Sequence, residues 1–141
     1  ILCYQPKGTK TDLRQALEYL NRMLKKRSVV FVLSDFMTEG YENALKIMNK
    51  KHDVIPLVIQ DPMEQDMPDV GLLELEDSET GEFVLMDVKN IKDKFKLKTK
   101  NARNKQTKFF RTNNIDAIKI QTNEDYLKPI IKYFKAREKK L

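Results

Sequence analysis

The chain has 141 residues, of which 40% are apolar and 34% are charged. This is the balance of a globular domain large enough to bury a core. The sequence contains no run of 18 apolar residues and no signal-peptide pattern, which excludes both kinds of segment within these residues. The single cysteine, Cys3, excludes an internal disulfide. The chain opens on Ile1, so we expect a piece of a longer cytoplasmic protein, with any membrane association carried by upstream segments.

The net charge of +6 is concentrated in one segment. Residues 89–111 carry ten Lys and Arg against one acid, Asp93, while the other 118 residues carry 17 basic and 20 acidic side chains. The basic character therefore belongs to a single stretch of the chain.

The first half of the chain alternates helix and strand patterns. We predict a helix capped by Thr11, because Leu13, Leu17, Leu20 and Leu24 recur at helical spacing. Residues 28–34 predict a strand buried on both faces, and residues 41–51 a helix with Ala44, Leu45 and Met48 inside. Residues 53–60 predict a second strand, whose Pro56 favours a position near its start or at an edge of the sheet.

The second half begins with a loop at residues 61–71. A β-hairpin insertion is predicted at about 70–88, with its turn at Ser78–Gly81, followed by a basic helix at about 90–112 capped by Asn90. Residues 115–120 predict a third core strand. Asn123 is the predicted cap of a last helix, whose inner face comprises Leu127, Ile130, Ile131 and Phe134.

This order predicts an α/β fold in one domain spanning residues 1–141. Buried strands that alternate with amphipathic helices indicate a mostly parallel sheet with helices on its faces. Strand 28–34 has the composition of a central strand, yet no strand pattern precedes it to pair with its other edge. We therefore expect N-terminal strands to be missing, and the piece alone to form homo-oligomers through strand 28–34.

Polar side chains follow two of the predicted strands. Ser34 and Asp35 end the first strand, Asp61 follows the second, and Thr11 begins the helix that leads to the same edge of the sheet. Oxygen donors without nitrogen or sulfur ligands suit Mg²⁺, which retains several waters. The alternative is that Asp35 and Thr11 merely cap the turn and the helix that follow them.

Four segments carry a resemblance to a known family: "KGTKTDLRQALEYL", "SVVFVLSDFMTEGYENAL", "HDVIPLVIQDPMEQDMPDVGLLELEDSETGEFVLMDV" and "TNEDYLKPIIKYF". Together they resemble the C-terminal half of the bacterial von Willebrand factor A-like (vWA-like) family catalogued as domain of unknown function fifty-eight. The resemblance covers nearly the whole chain. Members of that family are typically encoded beside AAA-type ATPases of the MoxR kind.

The resemblance implies a partial Rossmann-type, three-layer sandwich with a metal-ion-dependent adhesion site at the edge of the sheet. Such a site combines a D-x-S-x-S motif with a threonine and an aspartate, which correspond here to Thr11 and Asp35. Thr9 and Ser34 are the fallback positions. The D-x-S-x-S motif does not occur in this sequence. We therefore expect no metal in this piece and Mg²⁺ only in the intact domain.

The resemblance also implies a function. It predicts a protein-interaction or adaptor module whose partner is a MoxR-type ATPase or its client. A carboxylate of the partner would complete the coordination of the metal. Asp61, Glu64 and Asp66 form an acidic loop near the same edge, which either contacts a partner or is simply solvated.

Enzyme chemistry is not indicated. We find no nucleophile–base pair, phosphate-cradling glycine loop or zinc-ligand spacing, so we expect neither catalysis nor a small-molecule substrate. The solitary His52, at a helix–strand junction, is typical of a packing or capping residue.

The basic segment supports an alternative function. Ile91, Phe95, Ala102 and Phe109 recur on one helical face, and lysines such as Lys94, Lys98 and Lys105 lie around the rest. A packed helix with a solvated outer face is one interpretation. The other is binding to nucleic acid or an acidic protein, although spread charge without a stacking stripe makes nucleic acid the weaker choice.

Overall fold

The computed structural model describes residues 11–64, 72–76 and 83–139 of the chain. The element order is the predicted one. In chain order the elements are α1 (Leu13–Met23), β1 (Val29–Ser34), α2 (Glu42–Lys51), β2 (Asp53–Gln60), a 3-10 turn (Pro62–Glu64), β3 (Leu72–Glu76), β4 (Phe83–Asp87), α3 (Val88–Thr112), β5 (Ile118–Gln121) and α4 (Leu127–Glu138).

The main sheet is parallel and has the strand order β1-β2-β5. Val29 of β1 pairs with Asp53 of β2, and Leu57 of β2 pairs with Ile118 of β5. The predicted hairpin is present as the antiparallel pair β3-β4, which forms a separate sheet. Its predicted turn at Ser78–Gly81 lies outside the described residues. Parallel strands joined by helices confirm the predicted α/β class, and the arrangement is Rossmann-like.

Helices pack on both faces of the main sheet because side chains alternate along β2. Val54 and Val58 point to one face, where they join the helical residues Leu17, Leu45 and Met48 in the larger core cluster. The larger cluster confirms the predicted inner face of α2. Ile55 and Leu57 point to the opposite face and pack with β5 and α4. No helix in the described parts of the chain is long and apolar enough to cross a membrane.

Strand β1 is buried on one face only, so the prediction of a strand buried on both faces is wrong. Val30 and Val32 are buried, whereas Val29, Phe31 and Leu33 are 56%, 48% and 67% exposed. The reason is that β1 lies at the edge of the sheet and pairs, within the described residues, with β2 alone. An exposed apolar face beside such an edge is a surface on which another strand or chain can pack.

Pro56 lies in the central strand, which corrects the prediction of an edge position. The Asp53 backbone N–H donates to the Ser28 carbonyl of the segment preceding β1 (2.9 Å). Backbone groups alternate direction along a strand, so the Pro56 nitrogen faces β5. The β2–β5 ladder begins one residue later, at the pair Leu57–Ile118. The missing N–H of proline therefore removes no bond from the ladder.

Three predicted helix caps are wrong. Helix α1 is capped by Asp12 rather than Thr11: the Asp12 Oδ1 accepts from the Gln15 N–H at 2.9 Å. Helix α3 begins at Val88, which places Asn90 inside it. Helix α4 begins at Leu127, where Asp125 rather than Asn123 accepts from the Leu127 N–H at 2.9 Å. A neighbouring carboxylate thus replaces the predicted cap of α1 and of α4, whereas α3 begins before its predicted cap.

The inner face of α4 is also corrected. Ile130 and Tyr133 pack against the sheet, whereas Leu127, Ile131 and Phe134 are 50%, 50% and 42% exposed. Arg137 fixes the end of the helix, because its Nη2 lies 2.8 Å from the Asp53 Oδ2 and its Nη1 donates to the Tyr133 hydroxyl (2.9 Å). The predicted strand at residues 115–120 begins later, at Ile118.

Candidate functional site at the carboxyl ends of β1 and β2

A tight turn follows β1 and contains two of the predicted site residues. The Ser34 Oγ accepts from the Phe36 N–H, and the Asp35 Oδ1 accepts from the Met37 N–H, each at 3.0 Å. These two bonds are the local side-chain-to-backbone contacts typical of Ser and Asp in turns. Asp35 therefore does cap the turn, as one interpretation of the sequence required, and its carboxylate remains exposed.

The turn is held by the residue that follows Asp35. Phe36 adopts a positive φ of 55° and is only 4% exposed. Its ring packs edge-on against Tyr41 and Phe110, with ring centroids 5.3 Å and 5.5 Å away. A left-handed conformation is unfavourable for a bulky residue, so it persists only where packing compensates for the strain. The buried Phe36 ring thus fixes the direction in which Asp35 projects.

Helix α3 braces the same turn. Arg103 Nη1 donates to the Asp35 carbonyl oxygen at 2.7 Å, and Gln106 Nε2 donates to the same oxygen at 3.4 Å. Gln106 is buried beside the Tyr41 phenol. Burial raises the pKa of the Tyr41 phenol to about 12, while Gln106 and the charge of Arg103 act in the opposite direction.

Sequence reasoning missed Tyr41, Arg103 and Gln106 at this site. Arg103 and Gln106 are three residues apart and therefore share one face of α3. In the sequence, the signal for this contact was a pair of polar residues three positions apart within the predicted basic helix.

Asp61 repeats the arrangement of Asp35 on the adjacent strand. Its Oδ1 accepts from the Met63 N–H at 2.9 Å. Because β1 and β2 are parallel neighbours, Asp35 and Asp61 follow them at the same edge of the sheet. Glu64 ends the 3-10 turn after Asp61, whereas Asp66 lies outside the described residues. The structure therefore places two of the predicted acids, Asp35 and Asp61, at the edge formed by the carboxyl ends of β1 and β2, which we call the rim.

Thr11 is exposed and precedes α1, and Thr9 lies outside the described residues. Arg14, in the first turn of α1, lines a small cavity together with Gly40 of the β1–α2 loop. The amino end of α1 thus lies near the edge of the sheet at which Asp35 is found. No hydrogen bond joins Thr11 to Asp35 among the contacts of the described residues.

The oxygen donors at this rim are of the type that binds Mg²⁺, but they are too few to complete a site. Ser34 and Asp35 offer hydroxyl and carboxylate oxygens, the ligand type that Mg²⁺ prefers. Across the described parts of the chain, no three His, Cys, Asp or Glu side chains form a metal-binding group. The Arg103 guanidinium also brings positive charge to the turn. These residues alone do not complete a cation site.

The remaining predicted residues lie elsewhere. Lys94, Lys98 and Lys105 are exposed on α3, in agreement with a basic outer face. From residue 93 onward, the buried positions of α3 are Thr99, Gln106 and Phe110, whereas the predicted Phe95, Ala102 and Phe109 are only partly buried. The side chain of Ile91 lies outside the described set. His52 is 4% exposed at the junction of α2 and β2, which confirms a packed position.

Comparison with known proteins identifies similar chains without an assigned activity. An uncharacterized protein of Mycobacterium avium is 26% identical over 138 residues, which cover 95% of this chain and 80% of that protein. An uncharacterized protein of Mycobacterium tuberculosis is 25% identical over 138 residues, but the match spans only 43% of its length. No solved structure matches the chain. The family model described as "Protein of unknown function DUF58" matches residues 1–107, and the chain belongs to that family.

Proposed function

We propose that this chain is part of a vWA-like protein-interaction module that serves as an adaptor for a MoxR-type ATPase or its client. The observation that carries the proposal is the rim at the carboxyl ends of β1 and β2. There, two adjacent parallel strands each end in a turn with an outward carboxylate, Asp35 and Asp61. Ligand sites of open α/β sheets lie at this edge.

The rigidity of the Asp35 turn supports a binding role. The Ser34 and Asp35 side chains close the turn, the Phe36 ring is buried beneath it, and α3 holds its carbonyl through Arg103 and Gln106. A side chain that projects from a turn held in this way loses little conformational freedom on binding. The Asp35 carboxylate is therefore pre-organised to act as a ligand at this edge of the sheet.

The missing donors fit the same proposal. The exposed edge and apolar face of β1 provide a place for a preceding strand, and such a strand is where a D-x-S-x-S segment would lie. In the intact domain, Thr11, Ser34 and Asp35 would contribute oxygens to the ion that this segment holds. A bound Mg²⁺ would supply an open coordination position for a partner's carboxylate.

The experiment is a binding measurement with the intact protein and a MoxR-type ATPase from the same genome. Asp35→Asn keeps the oxygen that accepts from the Met37 N–H and removes the charge. Asp125→Asn is the matched control, since Asp125 makes the same turn contact with the Leu127 N–H. We expect Asp35→Asn to weaken binding in Mg²⁺ about tenfold or more, as for the loss of one charged contact. Equal affinities of wild type and both variants would contradict the proposal.

A second candidate function uses the exposed lysines of α3. Lys94, Lys98 and Lys105 lie on a helix in the segment at residues 89–111, which carries ten basic side chains against one acid, and all three are exposed. This face would attract nucleic acid or an acidic protein through charge. Affinity for duplex DNA that falls steeply with salt, and that is lost when all three lysines are changed to alanine, would support it. If the affinity for DNA is unaltered by the three substitutions, this second function is wrong.

A further inference from the structure

Exposed apolar side chains of β1 and α4 meet on the face of the main sheet opposite α1 and α2. The rings of Phe31 in β1 and Phe134 in α4 join the two elements, with centroids 6.3 Å apart. The rest of β1 is left uncovered on this face, because the inner residues of α4 pack against β2 and β5. We call this region the α4–β1 surface, and its residues are Val29, Phe31, Leu33, Leu127, Ile131 and Phe134.

The α4–β1 surface has the shape of a step. An α-helix with its side chains is about 10 Å across, so α4 stands as a wall beside β1, and the β1 side chains form the floor. Neighbouring helices of one layer lie about 8–10 Å apart, which is the space that a further helix beside α4 would fill. A lipid bilayer is flat on this scale and would reach the wall but not the floor.

A stripe of lysines borders the apolar wall on the side away from the sheet. Tyr133 packs against the sheet, Phe134 belongs to the α4–β1 surface, and Lys135 is exposed. Each of these residues is rotated about 100° around the helix from the one before it. The same order occurs one turn earlier, at Ile130, Ile131 and Lys132. The wall of the step therefore has an apolar base and a cationic outer border.

We infer that the α4–β1 surface is the docking site for an amphipathic helix of a partner protein, with acidic residues on the flank that meets the lysine stripe. The apolar centre supplies most of the affinity, as in other helix-binding grooves. Lys132 and Lys135 are rim residues, which are solvent-exposed in protein interfaces and select the partner by charge. A second copy of α4 would bring its own lysines against this stripe and is disfavoured. The inference uses neither the Asp35 carboxylate nor a metal, so it is independent of the proposed adaptor function.

The test is a fluorescence-anisotropy titration of the full chain with a labelled synthetic helix of about 18 residues, or about five turns. This acidic peptide carries leucines at helical spacing and glutamates on both flanks. A basic peptide with the same leucines and with lysines in place of the glutamates is the matched probe. We expect the acidic peptide to bind at least about tenfold more tightly than the basic one, because like charges at the rim oppose binding.

Substitutions in α4 locate the site. Ile131→Ser removes an apolar side chain from the wall and should weaken binding of the acidic peptide about tenfold. Ile47→Ser, at an exposed position of α2 on the other side of the sheet, is the control and should stay within about twofold of wild type. Lys132→Glu combined with Lys135→Glu should reverse the preference, so that the basic peptide binds more tightly. Unchanged unfolding midpoints will show that these variants fold.

Three results of the peptide titrations would overturn the inference. The first is no binding of the acidic peptide by the wild-type chain. The second is equal affinity for the acidic and basic peptides, which would show that the lysine stripe selects nothing. The third is equal weakening by Ile131→Ser and Ile47→Ser, which would place the peptide elsewhere.

Three further measurements test other occupants of the α4–β1 surface. Sedimentation in which Ile131→Ser converts self-associated chains into monomers would identify a second copy as the occupant. Binding to phosphatidylglycerol vesicles that is lost in Ile131→Ser would identify a lipid surface. Failure of the intact protein to bind the acidic peptide, when the chain alone binds it, would identify another segment of the same polypeptide. Each of these results would contradict docking of a partner helix, and their absence supports it.

Discussion

Arg103 of α3 and Asp35 of the β1–α2 turn are 68 positions apart in the chain, and the Arg103 guanidinium donates to the Asp35 carbonyl at 2.7 Å. This bond joins the basic helix to the rim of the sheet. One side chain therefore ties the packing of α3 to the turn that carries the Asp35 carboxylate.

The buried Tyr41 phenol makes the free energy of unfolding depend on pH in the alkaline range. Burial raises its pKa to about 12 in the fold, against about 10 in the unfolded chain. Between these values the unfolded state releases the phenolic proton and the folded state keeps it. Below pH 10 the free energy of unfolding therefore includes the whole of this stabilisation. As the pH rises to 12, the free energy of unfolding falls by about 2–3 kcal/mol.

The measurement is urea unfolding between pH 9 and 12 for wild type and Tyr41→Phe, a window set by the two pKa values. The variant has no phenolic proton to release, so it should lose less stability than wild type above pH 10. Parallel pH profiles for the two proteins would contradict the burial of an unionised phenol at this position.

His52 offers a change that should stabilise the fold. It is 4% exposed, and neither ring nitrogen has a hydrogen-bond partner among the described residues. Burying an unpaired polar group costs about 1–3 kcal/mol, and leucine has a similar volume without that cost. We expect His52→Leu to raise the free energy of unfolding by about 1 kcal/mol. A decrease, measured by urea unfolding at neutral pH, would show that the imidazole has a partner.

One edge of β1 has no partner strand among residues 11–64, 72–76 and 83–139, and it should drive self-association of this chain when it is studied alone. Leu33 is 67% exposed on this strand, and Phe31 on the same face is 48% exposed. We expect sedimentation to show dimers or larger assemblies, and Leu33→Lys to shift them toward monomer. Ile47→Lys, at a 42% exposed position of α2, is the control and should leave the assembly unchanged. A monomeric wild-type chain would contradict this prediction.

The regular elements could be predicted because their signals are local. The buried positions of α2 recur at helical spacing, and β2 is a continuous apolar run whose predicted bounds match the strand. The exposed face of β1 could not be predicted, since Val29, Phe31 and Leu33 are as apolar as buried strand residues. Their exposure depends on which strands are neighbours, and that information is not local.

The candidate site was predictable only in part, for the same reason. Ser34, Asp35 and Asp61 were predicted because they follow buried strands directly. The bracing of Asp35 by Arg103 and Gln106 depends on how α3 packs across the turn. Composition identified the basic segment but did not show that Arg103 faces the turn after β1.

The most direct test of the proposed metal-dependent rim is thermal unfolding of the intact protein with and without millimolar Mg²⁺. A ligand that binds only the folded state raises the unfolding midpoint. We predict that Mg²⁺ raises the midpoint of wild type and of Asp125→Asn, but not that of Asp35→Asn. If Mg²⁺ leaves all three midpoints unchanged, or raises them equally, Asp35 serves only to close the turn after β1.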